Sequence, residues 1–262
     1  MSLTRRQFLG LGAGLSLGAM LSSAWPVRAL TDVASRRNIR LIRRGRADLP
    51  QIALTFDDCW FEAETLRIAS AFAERDVKVT FFPAGTAIRA NIDSPTDGHE
   101  DLYPRLYEMG HEFGCHTFTH PDITELTAHR LVWWEIQPWI DVLNEALGFE
   151  YQPVSFRPPY GIITDALFDA CWQTQLDVVL WSADLNDGVC AADTCQSYMT
   201  RRMVDLLEND NGGNGELILQ HTTPASVDFV DAQLDIIEAA ELEPVLISEM
   251  LAALDEEETE QS

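Results

Sequence analysis

The sequence predicts an α/β domain built on parallel strands, open or closed into a barrel, and three observations carry that expectation. Short apolar runs alternate along the chain with segments whose apolar residues recur at helical spacing. Titratable residues gather just after the apolar runs, which are the strand carboxyl ends where parallel α/β architectures build their sites. Neither an internal repeat nor a long linker interrupts the alternation, and 262 residues suffice for one domain with a sizeable core.

Residues Met1 to Ala29 stand apart from this pattern. They contain Arg5-Arg6, a glycine-diluted apolar run from Phe8 to Ala24, a small-residue cleavage site at Val27-Arg28-Ala29, and no acidic residue. The string Thr4-Arg5-Arg6-Gln7-Phe8-Leu9 resembles a twin-arginine export signal. Export to the periplasm or exterior is expected, with no membrane span after cleavage; an uncleaved signal anchor is the alternative. Leu30 to Pro50 reads as an arginine-rich surface lead-in.

The domain proper is expected over 51–254. Gln51 to Phe56 reads as a buried strand that ends at two aspartates, Glu62 to Arg75 as a helix, and Val77 to Phe82 as the next strand. Further helices are expected over Leu102–Met109, Glu125–Leu147, Thr164–Gln173, Gln196–Asn209, Val227–Glu241 and Ile247–Leu254. Further strands are expected at Glu112–Cys115, Pro153–Phe156, Val178–Trp181, Leu217–Gln220 and Pro244–Ile247. Asp255 to Ser262 reads as a frayed acidic tail.

Charge narrows the partners. The net charge is -24 and Lys78 is the sole lysine, so the surface should repel nucleic acid and anionic membranes. Five cysteines leave an odd thiol if two disulfides form. Cys190 and Cys195 share one polar loop and are the best disulfide pair, whereas Cys171 sits in a helical pattern as a buried small residue.

Five segments point their polar residues at one mouth: Asp57-Asp58, His116 with His120, Arg157, Asp184 with Asp187, and His221. Two histidines four apart would face the same way on one helical turn and could share a divalent ion. Asp58 completes a two-histidine, one-carboxylate set with positions left open for water and substrate. Adjacent side chains leave extended backbone on opposite sides, so Asp57 is free to take a proton instead. His99, His111 and His129 have no matching partners and read as structural or exposed.

These segments resemble the polysaccharide deacetylase family, carbohydrate esterase family four, with its NodB homology domain. The resemblance runs over roughly Gln51 to Leu254. Thr55-Phe56-Asp57-Asp58-Cys59 is similar to the family's TFDDG, His116-Thr117-Phe118-Thr119-His120 to its metal-binding histidine motif, and Arg157-Pro158-Pro159-Tyr160-Gly161 to its RPPYG. Trp181 to Gly188 is similar to the fourth motif and Leu217 to His221 to the fifth. The resemblance implies a distorted (β/α) barrel and a hydrolase removing N- or O-linked acetyl groups from a carbohydrate polymer or oligomer. It assigns Asp58, His116 and His120 to a divalent metal, with zinc the default for this ligand set and cobalt or nickel as alternatives. It makes Asp57 the general base, Arg157 its orienting partner, the Tyr160 N–H an oxyanion donor, and His221, kept protonated by Asp187, the general acid.

Trp181 is read as core or as a sugar-stacking wall, Arg157 as orienter or plain salt-bridge partner, and Asp184 as site residue or turn cap. Cys59 stands where the family has glycine, either as a tolerated small side chain, as half of a disulfide with Cys115, or as a soft ligand. Gly188 stands where the family has an aromatic, removing a wall of the substrate groove. Hydrolysis of a small non-glycan amide and an inactive carbohydrate-binding homologue are the alternative functions.

Overall fold

The computed structural model describes residues 38–190, 194–208 and 211–260. The export signal expected over 1–29 lies outside the described residues. In chain order the strands are β1 (Leu41–Ile42), β2 (Gln51–Asp58), β3 (Thr80–Pro83), β4 (Glu112–Phe113), β5 (Ser155–Phe156), β6 (Asp177–Val179), β7 (Ala183–Asp184), β8 (Glu216–His221) and β9 (Glu243–Val245). The α-helices are α1 (Glu62–Glu74), α2 (Gly85–Asp93), α3 (Leu102–Glu108), α4 (Ala128–Arg130), α5 (Gln137–Leu147), α6 (Asp165–Thr174), α7 (Cys195–Leu207), α8 (Pro224–Ala239) and α9 (Ile247–Glu260).

Every described strand pair is parallel. One ladder runs β4-β3-β2-β8-β7, and a second runs β1-β6-β5. Two links close them into a distorted barrel. Cys115, just past β4, bridges in parallel to Phe156 of β5, and β6 leads within a few residues into β7, which pairs with β8. The two ladders are therefore arcs of one closed surface. β2 is its axis: β8 lines one edge, while β9 takes the start and β3 the end of the other.

Strand alternation sorts the core into two layers. Ile52, Leu54 and Phe56 of β2 face outward to the helices, where Phe56 meets Phe72 and Phe81 at ring separations of 5.7 and 5.6 Å. Burying each such side chain contributes about 1.5–3 kcal/mol. Ala53 faces inward with Phe82, Val179 and Leu217, the small inner cluster. Small residues at 53 and 55 leave the barrel interior room for an arginine, described below. The helix starts are capped as their sequences suggest: Thr164 accepts from the Leu167 N–H at 3.1 Å and Thr223 from the Ser226 N–H at 3.2 Å.

Four expectations are corrected. The lead-in is not plain surface, because Leu41–Ile42 pairs with β6 and Arg40 ion-pairs with the buried Asp177 at 2.7 Å. α2 was not anticipated, because its nine residues contain a glycine, two alanines and only two large apolar side chains, Ile88 and Ile92, rather than a clear apolar stripe. The helix expected over 125–147 changes form: Leu131–Ile136 is π-helical, and the Gln137 N–H reaches the Val132 carbonyl five residues back. Pro138 follows directly, and it lacks the N–H for a regular turn. The acidic tail is not frayed from Asp255, since α9 continues to Glu260.

Candidate active site

The strand register places the site residues. Asp57 stands beside Phe82 of β3 and His221 of β8 at the carboxyl ends of three neighbouring strands. Beneath it lies Arg157, which is 0 % exposed. Its guanidinium donates to Asp57 Oδ1 at 2.6 Å, Thr55 Oγ1 at 2.8 Å, the Leu180 carbonyl at 3.0 Å and the Val179 carbonyl at 3.3 Å, and it stacks 4.1 Å from the Phe82 ring centroid. A charge this deeply buried is tolerable only when paired and well hydrogen-bonded, and here each guanidinium nitrogen has a partner. Thr55 is a partner that motif reading missed; its alternation with Asp57 on β2 was the available signal.

Asp58 turns back toward the same mouth. The expectation that it leaves the strand opposite Asp57 fails because Asp58 and Cys59 both adopt left-handed backbone, at φ 71° and 57°. Consecutive residues in that region reverse the alternation. Asp58 Oδ1 thereby comes to 3.5 Å from His116 Nε2 and 3.3 Å from His120 Nε2, and Asp57 Oδ2 to 3.7 Å from His116 Nε2.

The two histidines are not on a helical turn. They lie on a loop after β4 whose Thr117 and His120 are left-handed, at φ 64° and 55°. His116 Nδ1 donates to the Arg157 carbonyl at 2.7 Å, which fixes its tautomer and leaves Nε2 to face Asp58. One ligand atom from each of Asp58, His116 and His120 lies within 4.8 Å of the others. Asp58 Oδ1 is buried without a hydrogen-bond partner, an orphan that a cation would satisfy. Burial pushes the Asp58 carboxyl up, but His116, His120 and His221 together hold it below the usual carboxylate range. Burial and the neighbouring His116 push His120 down, favouring the neutral imidazole a metal requires. The residues present fit a divalent ion.

On the opposite flank His221 Nδ1 lies 3.1 Å from Asp187 Oδ1. The buried Asp187 also accepts from the His221 N–H at 2.8 Å, from Thr223 Oγ1 at 3.2 Å and from Ser226 Oγ at 2.6 Å. Burial opposes protonation of His221, but its hydrogen bond and attraction to Asp187, with Asp57 and Asp58 adding, hold it up to about 9. Thr223 and Ser226 escaped the motif comparison because they act on Asp187 rather than on a substrate.

Tyr160 is left-handed at φ 59° and 69 % exposed, with its ring edge-on to His120 at 4.8 Å. Gly161 follows at φ 68°, and a β-carbon there would come within 3.0 Å of Trp181. Trp181 is half-buried beneath that turn. Asp184 is a turn cap whose Oδ1 accepts from the Asn186 N–H at 2.7 Å. A β-carbon on Gly188 would stand 3.7 Å from His221 Nδ1 and meet nothing else closer than 4.0 Å.

Cys190 and Cys195 form a disulfide in the segment after Asp187. Cys59, Cys115 and Cys171 are free and buried, so the disulfide considered between Cys59 and Cys115 is absent. Burial pushes the thiols of Cys59 and Cys115 up, and Cys59 packs into the outer core as a small apolar side chain, not as a soft ligand. His111 is structural, accepting from the Val79 N–H and donating to the Ala69 carbonyl; His129 is exposed.

A family model described as polysaccharide deacetylase matches residues 44–179. The chain belongs to the polysaccharide deacetylase family. A peptidoglycan-N-acetylglucosamine deacetylase of Bacillus cereus is 30% identical over 191 residues, covering 69% of this chain and 61% of that one. A chitooligosaccharide deacetylase of Sinorhizobium fredii is 29% identical over 152 residues, covering 57% and 65%. This chain spans about half the length of several curated relatives, for example 54% of an uncharacterized Bacillus subtilis protein that is 27% identical over 193 residues. Among solved structures, a peptidoglycan N-acetylglucosamine deacetylase in complex with an N-oxidanyl-benzamide superposes with a TM-score of 0.66 at 26% identity, covering 81% of this chain and 92% of that one. A family-four pseudoenzyme from Bacillus anthracis shares the fold at a TM-score of 0.67 and 21% identity, covering 80% and 68%. The distorted barrel is thus the fold of this family.

Proposed function

We propose that this chain is a metal-dependent hydrolase that removes acetyl groups from a carbohydrate polymer or oligomer. The observation that carries the reading is the orphaned Asp58 Oδ1 between two imidazole nitrogens, flanked by an Arg157-supported carboxylate and by an Asp187-supported histidine. Relatives named as deacetylases of peptidoglycan and chitooligosaccharide support the substrate class.

Asp58, His116 and His120 would hold the ion, zinc being the first choice for such donors. When bound, the ion supplies a Lewis acid that polarises the acyl carbonyl and acidifies water. Asp57, pinned by Arg157 through one oxygen, keeps its other oxygen toward the centre and takes the proton from the attacking water. The Tyr160 main chain, held left-handed by the Gly161 turn, presents its N–H to the developing oxyanion. His221 carries the proton that the departing amine or alkoxide needs, and Asp187 keeps it there. Trp181 and the exposed Tyr160 ring form an aromatic border against which a sugar can lie.

The pseudoenzymes among the structural neighbours favour an inactive homologue as a second reading. Asp57, Asp58, His116, His120, Arg157 and His221 are all present and mutually placed here, which favours activity. Acetate release from acetylated chitooligosaccharide, peptidoglycan and acetylxylan, with and without chelator, decides between them. Activity indifferent to chelation overturns the metal-dependent reading; binding without acetate release supports the inactive one. Turnover of small non-glycan amides alone would move the substrate class. We further propose export by the twin-arginine route, tested by fractionation of cells carrying Arg5→Lys/Arg6→Lys beside the parent.

A further inference from the structure

The second histidine of the metal set is held less directly than the first. The His116 ring is pinned by the Arg157 carbonyl, whereas the nearest support of His120 is through main chain, its N–H donating to Thr117 Oγ1 at 3.0 Å. Both residues of that contact are left-handed, a conformation that a β-carbon disfavours. From outside the loop, the Gly85 and Thr86 N–H groups at the start of α2 hold the Thr117 and Phe118 carbonyls at 3.0 and 2.8 Å, which leaves the next residue, Thr119, to a separate tie.

Thr119, between them, is on the surface, yet both of its donors turn to one buried carboxylate. Its N–H donates to Glu135 Oε2 and its hydroxyl to Glu135 Oε1, each at 2.8 Å. Glu135 is only 6 % exposed and reaches in from the π-helical turn Leu131–Ile136. Among the described residues it forms no ion pair, and both of its hydrogen bonds come from Thr119. A carboxylate is costly to bury on neutral donors, and π turns concentrate where a helix serves a site.

We propose that Glu135 is a positioning residue for the metal centre: through Thr119 it fixes the loop that presents His120, and so sets the affinity for the divalent ion. This rests on the metal-dependent reading above. A carboxylate suits the task because each of its two oxygens faces one Thr119 donor, whereas glutamine would set an NH2 donor against one of them.

The test is Zn2+ affinity of the full chain, measured by competition with a chromogenic chelator. Glu135→Ala should weaken binding by roughly 10- to 100-fold, the usual effect of removing an outer partner of a metal ligand. Glu135→Gln and Thr119→Ala should each weaken it by roughly tenfold, and their double variant by no more than the weaker single, because both break one linkage. The visible spectrum of Co2+-loaded Glu135→Gln should differ from that of the parent. Folded Glu135→Gln and Thr119→Ala proteins with parental affinity and parental Co2+ spectra would overturn the proposal, whether or not Glu135→Ala folds. A parent that binds no Zn2+ would overturn the metal-dependent reading together with this one, whereas a parent that binds and variants that bind equally well sink the positioning role alone.

Discussion

Asp57 and Asp58 are neighbours in sequence whose carboxylates meet different partners, and the separation is made by backbone. Arg157 occupies one oxygen of Asp57, while left-handed φ at Asp58 swings its carboxylate to the histidines. Asp57→Asn should lower kcat for acetate release by about 10²- to 10⁴-fold and leave bound zinc, read by elemental analysis, at parental stoichiometry; loss of the metal would make Asp57 a ligand instead. Arg157→Met should strand the Asp57 charge inside the barrel and cost about 3–5 kcal/mol in urea unfolding, whereas a cost below about 1 kcal/mol would class the pair with surface ion pairs. With His221 held up to about 9 by Asp187, the proposed acid role requires kcat/KM to hold through neutral pH and fall as pH rises through that region. A bound cation lowers that limit, and Asp187→Asn should bring it toward the ordinary histidine value near 6.5. A limb that does not move in Asp187→Asn would remove His221 from the acid role. At this scale the identities of Asp57, Asp58, His116, His120, Arg157 and His221 were legible from motifs. Of the helpers, Thr55 was signalled only by its alternation with Asp57 on β2, and Ser226 and Glu135 not at all, because a partner of a partner carries no spacing signature.

The elements show why spacing alone misled. A spacing of four positions from His116 to His120 suits a helical turn, but the segment is a loop set by two left-handed residues and by contacts to Thr117 and Glu135. Likewise the apolar pattern over 125–147 signals a helix without revealing that Pro138 is preceded by a π turn. The helix caps provide a control away from the chemistry. Thr164→Ala should cost about 1 kcal/mol of stability by removing the α6 cap, with kcat unchanged; a fall in kcat would tie α6 to the site.

For the whole molecule, a net charge of -24 means self-repulsion that salt screens. Raising ionic strength from about 0.01 M to about 0.5 M should raise the Tm, and a flat response in a thermal scan would show that ion pairs such as Arg40 with Asp177 already neutralise the strain. The sequence by itself determined the alternation of strands and helices, the parallel α/β class and the identity of the chemical groups, because apolar periodicity and motif spacing are local properties of the chain. Only tertiary structure decided that β6 and β7 close the barrel, that Leu41–Ile42 joins it, that Cys59 and Cys115 stay apart, and that Asp58 points to the histidines. Those outcomes depend on backbone sign and on contacts between residues a hundred or more positions apart, such as Asp57 with Arg157 and Leu41 with Val178. No local window of sequence contains that information.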